Sequence, residues 1–152
     1  MPGQGTLAVN RKARFDYEIL ELVEAGLVLK GSEIKAMREG HTSLAEAYAK
    51  PEAGELWLFN AHIAQYSSGS EANNHDPIRP RKLLLHKEQI YQLTRQVSER
   101  GLTLVPLRLY LKRRRAKLEI GVARGRRMHD KRRAIMDRER DREARHAIKR
   151  AT

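Results

Sequence analysis

Leu104-Val-Pro-Leu-Arg-Leu-Tyr-Leu-Lys-Arg-Arg-Arg-Ala-Lys-Leu-Glu-Ile-Gly-Val122 is the stretch of this chain that decides the fold. Large apolar residues alternate with other residues in both halves, which is the period of β-strands. The cluster Arg113-Arg-Arg115 between the halves predicts an exposed, basic hairpin turn. Because proline cannot donate to a strand ladder, Pro106 indicates that the first strand lies at a sheet edge or carries a bulge.

The preceding sequence adds another strand and a short helix. Apolar and β-branched residues predict a long strand over 17–29, with Gly26 at a bulge or bend. Residues 31–40 then form a short helix, with Ser32 as its cap and Gly40 as its terminator.

For the middle of the chain, the sequence predicts a hairpin, a loop and a second helix. Residues 43–50 and 55–63 flank the turn-type tetrapeptide Pro51-Glu-Ala-Gly54, and the second arm is apolar on both faces, so it is predicted to be buried. Polar residues 67–82 predict a loop. Ile90, Leu93 and Val97 then fall at helical spacing before Gly101, which predicts a second helix of about three turns.

This order of elements defines the expected fold class. It is mixed α/β and mainly β: a small antiparallel barrel of the oligonucleotide-binding type, with short helices and a basic C-terminal tail. A plain α+β sandwich is the alternative.

Charge divides the chain into two parts. The net charge is +12, which points to a polyanionic partner, nucleic acid before membrane. Residues 1–111 hold 14 Lys and Arg against 13 Asp and Glu, whereas residues 112–152 hold 17 against 6. After Gly125 few apolar residues remain, so the tail cannot build a core and is expected to be a frayed or conditional helix. It either orders on a phosphate-lined surface or adds only non-specific affinity.

Several functional classes are disfavoured. There are no cysteines, and the six histidines show no metal-ligand or catalytic spacing, so we expect loop and surface histidines, no metal, no cofactor and no enzymatic activity. The N-terminus does not resemble a secretory signal, and the apolar stretch 102–111 is too short to span a membrane. A cytoplasmic protein without membrane contact is expected.

Three basic regions are candidate nucleic-acid contacts. Asn10, Arg11, Lys12 and Arg14 precede the aromatic residues Phe15 and Tyr17, a mixture suited to phosphates and base stacking. Lys35 and Arg38 share a helix face, and the loop 74–82 adds three cations. Solubilising charge is the alternative for the arm, simple linkage is the alternative for the loop, and Glu33 and Glu39 dilute the signal of Lys35 and Arg38.

Seven sequence strings resemble, in order and spacing, the small protein B family over about residues 9–150. They are Asn10-Arg-Lys-Ala-Arg14 with Asp16-Tyr17, Glu24-Ala-Gly-Leu-Val-Leu-Lys-Gly31, Glu33-Ile-Lys-Ala-Met-Arg38, Asn74-His-Asp-Pro77, Arg81-Lys-Leu-Leu-Leu-His86, Gly101-Leu-Thr-Leu-Val-Pro-Leu107 and Asp130-Lys-Arg132. One position departs from the family: Phe15 stands where histidine is common, although an aromatic ring can still stack on a base.

The resemblance implies a barrel that binds the tRNA-like domain of transfer-messenger RNA (SsrA) and delivers it to stalled ribosomes for trans-translation. The implied RNA-binding residues are Asn10, Arg11, Lys12, Arg14, Phe15, Tyr17, Glu33, Lys35, Arg38, Asn74, His75, Arg79, Arg81 and Lys82. The implied tail motif, Gly125, Arg126, Arg127, Asp130, Lys131 and Arg132, serves the small-subunit decoding region and the empty messenger path.

These expectations define the domain organisation. Residues 1–9 form a flexible N-terminus, 10–124 the RNA-binding barrel, and 125–152 a tail that is disordered when free and helical on the ribosome. The protein is expected to be monomeric. The main rival is a permanent ribosomal or assembly protein, and a small hydrolase is a third class that the absence of a catalytic pattern disfavours.

Overall fold

The computed structural model describes residues 5–66, 74–126 and 128–151. Its strands are β1 (Thr6–Val9), β2 (Tyr17–Leu27), β3 (Thr42–Ser43), β4 (Tyr48–Glu52), β5 (Glu55–Phe59), β6 (His62–Ile63), β7 (Arg81–Leu84), β8 (Thr103–Lys112) and β9 (Arg115–Gly125). Its helices are α1 (Ala13–Asp16), α2 (Gly31–Arg38), α3 (Lys87–Arg100) and α4 (Met128–Ala151).

Antiparallel pairing closes the main sheet into a barrel. The strand order is β1-β8-β4-β5-β7-β2-β9. An additional pairing joins β9, at the end of this order, to β8, near its beginning, and this pairing closes the barrel. One edge of β8 is shared by β1 and β4, while the other carries β9 along its whole length. The short strands β3 and β6 form a separate pair. The predicted class, a mainly β barrel with short helices, is confirmed.

Two apolar clusters stabilise the barrel. The larger fills its interior, where alternate residues of the strands point inward. The smaller lies beneath α1, where Ala13 packs with Val105, Leu107 and Ala123. This second cluster attaches α1 to the outside of β8 and β9.

The β8–β9 hairpin that the sequence predicts is present, with a tighter turn than expected. Arg113 and Arg114 form the turn with φ of 52° and 65°, and Arg115 already belongs to β9. Since both turn residues have positive φ, the twist of the turn matches that of the strands. The ladder shifts register between Pro106 and Arg108, so the proline marks a bulge. Neighbours on both sides of β8 exclude the edge alternative.

The long strand β2 also differs from its prediction in detail. Its register shift lies between Ile19 and Glu21 rather than at Gly26. Gly26 instead pairs with both Lys117 of β9 and Leu84 of β7, where β2 passes from one neighbour to the other. A Cβ there would approach the Cβ of Leu84 to 3.2 Å, so close strand approach explains the glycine.

The β4–β5 hairpin is centred later than predicted. Pro51 and Glu52 belong to β4, and Ala53 with Gly54 forms a two-residue turn at φ of 52° and 76°. The buried second arm is confirmed, because Leu56 and Leu58 point into the core.

The helix boundaries show one correction. Lys30 is the N-cap of α2, so Ser32 lies in the first turn and does not cap the helix. The helix α3 has 14 residues, one turn more than predicted, and ends at Gly101 in the left-handed conformation. No helix in the described parts of the chain is long and apolar enough to cross a membrane.

Both ends of the chain contain regular structure. Residues 6–9 form β1, with Val9 opposite Arg108, so the boundary between a flexible N-terminus and the barrel does not fall at residue 10. The tail forms α4, a helix of 24 residues. The expected loop ends at residue 80, because Arg81 and Lys82 already belong to β7; its residues 67–73 lie outside the described residues.

Candidate nucleic-acid interface

The basic arm is held against the outside of the barrel. The Asn10 side-chain amide donates to the Pro106 carbonyl at 3.0 Å, and the Asn10 backbone N–H donates to the Leu107 carbonyl at 2.8 Å. Ala13 is buried in the cluster beneath α1. Asn10 therefore anchors the arm, while its cations, Arg11, Lys12 and Arg14, remain exposed.

Strand pairing brings the arm and the tail together. Because β2 and β9 are antiparallel, the first residue of β2, Tyr17, lies opposite the last residue of β9, Gly125. The Arg126 N–H donates to the Asp16 carbonyl at 2.9 Å, which ties the start of the tail to the end of α1. Helices separated by more than 100 residues in sequence thus become neighbours.

A groove of about 400 Å³ lies between α1 and α4. On the arm it is lined by Arg11, Lys12 and Phe15, and on α4 by Ile135, Arg138, Glu139 and Arg142. The four α4 positions follow the i, i+3, i+4, i+7 pattern of one helix face. The guanidinium carbon of Arg138 lies 6.0 Å from the centre of the Phe15 ring, within cation–π range. The lining of the groove is therefore mostly cationic, with two apolar side chains, Phe15 and Ile135.

Two cations of a second region, beside α2, are paired with a carboxylate inside the protein. The Glu33 carboxylate accepts from Arg79 (Nη2, 2.5 Å) and from Arg81 (Nε, 2.5 Å). It also accepts from the Lys30 backbone N–H at 2.8 Å, as a capping residue does. Arg81 donates further to the carbonyls of Ala61 and Pro77, so its hydrogen bonds connect α2, the chain after β5 and the 74–80 loop.

Burial and hydrogen bonding have opposite effects on these charges. Burial alone raises the pKa of Glu33, but the hydrogen bonds from Arg79, Lys30 and Arg81 outweigh it and hold the pKa below its ordinary value. Burial lowers the pKa of Arg81, and the Glu33 carboxylate opposes that shift. Glu33 therefore supplies the counter-charge of both guanidiniums, and its removal would leave Arg81 buried without a partner of opposite charge.

His75 completes this buried region. Its Nε2 lies 2.8 Å from the Ile63 carbonyl, which can only accept, so Nε2 donates to that carbonyl, and Nδ1 is hydrogen-bonded to the Ser32 hydroxyl at 2.9 Å. The prediction of ordinary loop and surface histidines is wrong for His75, which is 3% exposed. Among the described residues, no group of three or more His, Asp and Glu could hold a metal ion.

Three predicted RNA-binding residues therefore have an internal position. Glu33 and Arg81 are 0% exposed, and His75 is nearly so. The prediction that these three side chains contact RNA directly is therefore corrected, because their polar atoms bind other protein groups and are closed off from solvent. They position α2 and the 74–80 loop.

The other predicted residues near α2 are accessible to differing degrees. Lys35 and Arg38 are exposed on α2, and the ammonium of Lys35 lies 5.4 Å from the centre of the Tyr66 ring. Asn74 exchanges two hydrogen bonds with the backbone of Tyr66, at 2.9 and 3.0 Å. Arg79, Lys82, Phe15 and Tyr17 are half-buried.

The predicted tail residues lie at the end of β9 and in the first turns of α4. Gly125 is exposed, Arg126 is half-buried, and Arg132 is exposed. Asp130 and Lys131 belong to α4, but their side chains lie outside what the structure describes, as does Arg127 as a whole.

Sequence reasoning missed Ile135, Arg138, Glu139 and Arg142 as site residues. Their spacing on one helix face was available in the sequence as a signal. Nothing local, however, indicated that this face would lie beside the arm.

Comparison with known proteins covers nearly the whole chain. The family model described as SmpB protein matches residues 7–150. The SsrA-binding protein of Thermosynechococcus vestitus is 50% identical over 143 residues, covering 94% of each chain. That of Thermobifida fusca is 51% identical over 150 residues, covering 97% of this chain and 93% of the relative.

A solved structure agrees with the sequence relatives. A chain of the structure described as "tmRNA-SmpB: a journey to the center of the bacterial ribosome" is 48% identical, with a TM-score of 0.67. The match covers 86% of this chain and 94% of that chain. The shared barrel, the identity and the coverage of both body and tail lead to one conclusion: this chain belongs to the SmpB protein family.

Proposed function

We propose that this protein binds the tRNA-like domain of transfer-messenger RNA and delivers it to stalled ribosomes for trans-translation. The observation that carries the proposal is the match of about 50% identity over nearly the full length to proteins named for binding SsrA. The match includes the tail, so both parts of the chain are covered. The protein acts by binding RNA, without catalysis of its own, in the cytoplasm and as a monomer.

The distribution of charge supports a division of labour between body and tail. Within the proposal, residues 10–124 bind the tRNA-like RNA through the arm, through Lys35 and Arg38, and through the accessible residues of 74–82, which are Asn74, Arg79 and Lys82. The body is nearly neutral overall, which suits recognition of RNA shape more than uniform phosphate binding. Glu33 contributes by orienting Arg79 and Arg81.

The tail, residues 125–152, is proposed to enter the empty messenger path near the decoding centre. Its excess of cations suits a path lined with ribosomal RNA phosphates. Disorder in the free protein, followed by helix formation on the ribosome, remains a prediction, because a helix with few apolar residues depends on its surroundings.

A reconstituted peptide-tagging reaction tests the proposal. Replacing Asp130, Lys131 and Arg132 by alanine should leave RNA binding by the body intact but stop tagging on stalled ribosomes. The comparison variant scrambles residues 126–150 at constant composition. Full tagging by the scrambled tail would show that only the bulk charge of the tail is needed, and it would contradict a sequence-specific role for the tail.

A permanent ribosomal or assembly protein is the rival function. It requires constant stoichiometry on ribosomes, whereas delivery of transfer-messenger RNA requires sub-stoichiometric association that rises with stalling. Quantifying the protein on ribosomes before and after stalling separates these two functions, and sequencing the copurified RNA identifies the partner directly.

A further inference from the structure

Four consecutive cations, Lys112 to Arg115, form the tip of the β8–β9 hairpin, here called the hairpin tip. Residues 112–125 hold six Lys and Arg against one Glu, whereas residues 126–152 hold eleven Lys and Arg against five Asp and Glu. The excess of positive charge in the last part of the chain is therefore divided almost equally between this hairpin and the tail.

The hairpin tip has two features that oppose folding. Arg113 and Arg114 have φ of 52° and 65°, the left-handed region that favours asparagine and glycine in two-residue turns. Lys112 and Arg115 lie directly opposite each other in the ladder, where like charges repel. Because both features cost stability, the cations of the tip are explained by binding and not by folding.

The cations of the hairpin tip are accessible to a partner. All four side chains are exposed, and the ammonium of Lys112 lies 3.5 Å from the carboxylate of Glu24. Within the part of the chain that the structure describes, no carboxylate forms an ion pair with Arg113, Arg114 or Arg115. These three guanidiniums are therefore available to an anion.

We propose that the hairpin tip binds phosphates of a double-stranded segment of the tRNA-like domain of transfer-messenger RNA. The proposal rests on the proposed function and deepens it, because it adds a contact on the barrel that is separate from the arm, α2, residues 74–82 and the tail.

The chemistry of the hairpin tip suits an RNA duplex. Arginine binds phosphate through two parallel hydrogen bonds, and its planar guanidinium is more weakly hydrated than an ammonium. The major groove of an RNA duplex is deep and narrow, so side chains cannot read its bases, and the phosphates of both strands come close together at its edges. A narrow protruding turn with arginines on it can contact both rows of phosphates.

The position of the hairpin tip favours the RNA carried by the barrel over the RNA of the messenger path. Arg115 begins β9 and Gly125 ends it, so the tip lies about 33 Å from the start of the tail, at about 3.3 Å per residue. Side chains alternate along β9, which places Arg115 on the same outer face as Ala123, the residue packed beneath α1. One duplex can therefore extend along this face to the tip, at the end of the barrel away from the tail.

A double substitution in the full-length protein tests the proposal. Arg113→Asn with Arg114→Gly removes two charges and supplies the residues that this turn prefers. The melting temperature should rise by about 2–4 °C, while affinity for the isolated tRNA-like RNA should fall about tenfold at 50 mM salt and the salt slope of log K by about two. Opposite changes in stability and affinity exclude misfolding as the cause of the loss.

Two further variants separate phosphate binding from bulk charge. Arg113→Lys with Arg114→Lys keeps both charges, so the salt slope should be retained, with an affinity about two- to fivefold below that of the unmodified protein because lysine lacks the paired hydrogen bonds. The matched control, Arg95→Gln with Arg100→Gln, removes two exposed charges from α3 and should change the slope by less than about half a unit.

Phosphate ethylation interference identifies the segment of RNA that is bound. Ethylated phosphates that weaken binding of the unmodified protein, but not of the Arg113→Asn, Arg114→Gly variant, mark the contacts of the hairpin tip. They should fall on the two facing strands of one duplex.

An unchanged salt slope for the Asn–Gly variant, or an equal fall for the α3 control, would overturn the proposal. So would interference sites confined to single-stranded loops. A loss of affinity seen only with small ribosomal subunits, or only with polyglutamate as an acidic-peptide probe, would overturn it as well and assign the tip to ribosomal RNA or to a protein. Failure of the unmodified protein to bind the tRNA-like RNA would instead contradict the proposed function.

Discussion

Two groups of cations in this protein have opposite surroundings. Beside α2, Arg79 and Arg81 converge on the buried carboxylate of Glu33, and Arg81 is closed off from solvent. Between α1 and α4, the cations line an open groove, and Arg138 lies over an aromatic ring instead of a carboxylate. The first group stabilises the fold, and the second is available to a partner.

The difference shows how little a basic stretch of sequence says about its role. Residues 74–82 and the arm 10–14 each hold three cations. Only burial separates them, because a buried arginine must be paired whereas an exposed one can exchange water for phosphate. The following predictions test this contrast, from the largest expected effect to the smallest.

Removing the buried carboxylate should have the largest effect. Glu33→Gln leaves Arg81 buried without its counter-charge, so the free energy of unfolding should fall by about 3–5 kcal/mol in urea titrations. Glu55→Gln is the matched control: Glu55 pairs with Lys82 at 3.6 Å near the surface, and its loss should cost less than about 1 kcal/mol.

Equal, small losses of stability for the two glutamine variants would contradict the structural role of Glu33. A loss of RNA affinity at unchanged stability would indicate direct contact, which the burial of this carboxylate opposes.

Acid should reproduce part of that effect. The pKa of Glu33 is lowered in the folded protein, so the unfolded chain takes up the proton first and stability falls as the pH drops below about 4.5 toward the folded pKa. Above the ordinary pKa the contribution is fully present. Urea titrations at pH 7, 4 and 3 should show this loss.

The Glu33→Gln variant should lose less stability in acid than the unmodified protein. Some acid sensitivity should remain, since the hydrogen bond from the Tyr110 hydroxyl lowers the pKa of Glu24 as well. Identical pH profiles for variant and parent would contradict this account.

Truncation separates the two cation groups. A protein ending at Gly125 keeps Arg79 and Arg81 but loses the α4 wall of the groove. Its binding to the tRNA-like RNA should survive at low salt, with a shallower salt dependence because tail phosphate contacts are gone. Filter binding from 50 to 300 mM salt measures the slope, and absence of binding at low salt would contradict the division of labour.

Changing the ring beneath Arg138 should have the smallest effect. Phe15→Leu keeps an apolar side chain at this position but removes the aromatic face, so RNA affinity should fall about two- to fivefold, the size of an exposed cation–π contact. Tyr91→Leu is the control, because Arg95 lies 5.8 Å from the centre of that ring, on α3 and outside the groove. Equal losses for both variants would remove any special role of Phe15.

The sequence predicted the barrel well because its signals are local. Alternation in the β8–β9 segment and the glycine ending α3 depend on neighbouring residues alone. Boundaries were less accurate: Ser32 is a good capping residue, yet its hydroxyl bonds His75 because the 74–80 loop packs there. The candidate site was also only partly predicted: the sequence identified the cations of the arm, but it did not identify the face of α4 that lies beside them.

By itself, the sequence determined the fold class, the concentration of charge in the tail and the family. Each follows from residue order alone, through strand periodicity, composition and matched motifs. Only the tertiary structure decided which charges are presented. Packing of α2 and the 74–80 loop around β7 encloses Glu33 and Arg81, and antiparallel pairing of Tyr17 with Gly125 brings the arm to the tail. Both outcomes depend on contacts between residues far apart in the chain, which no local pattern encodes.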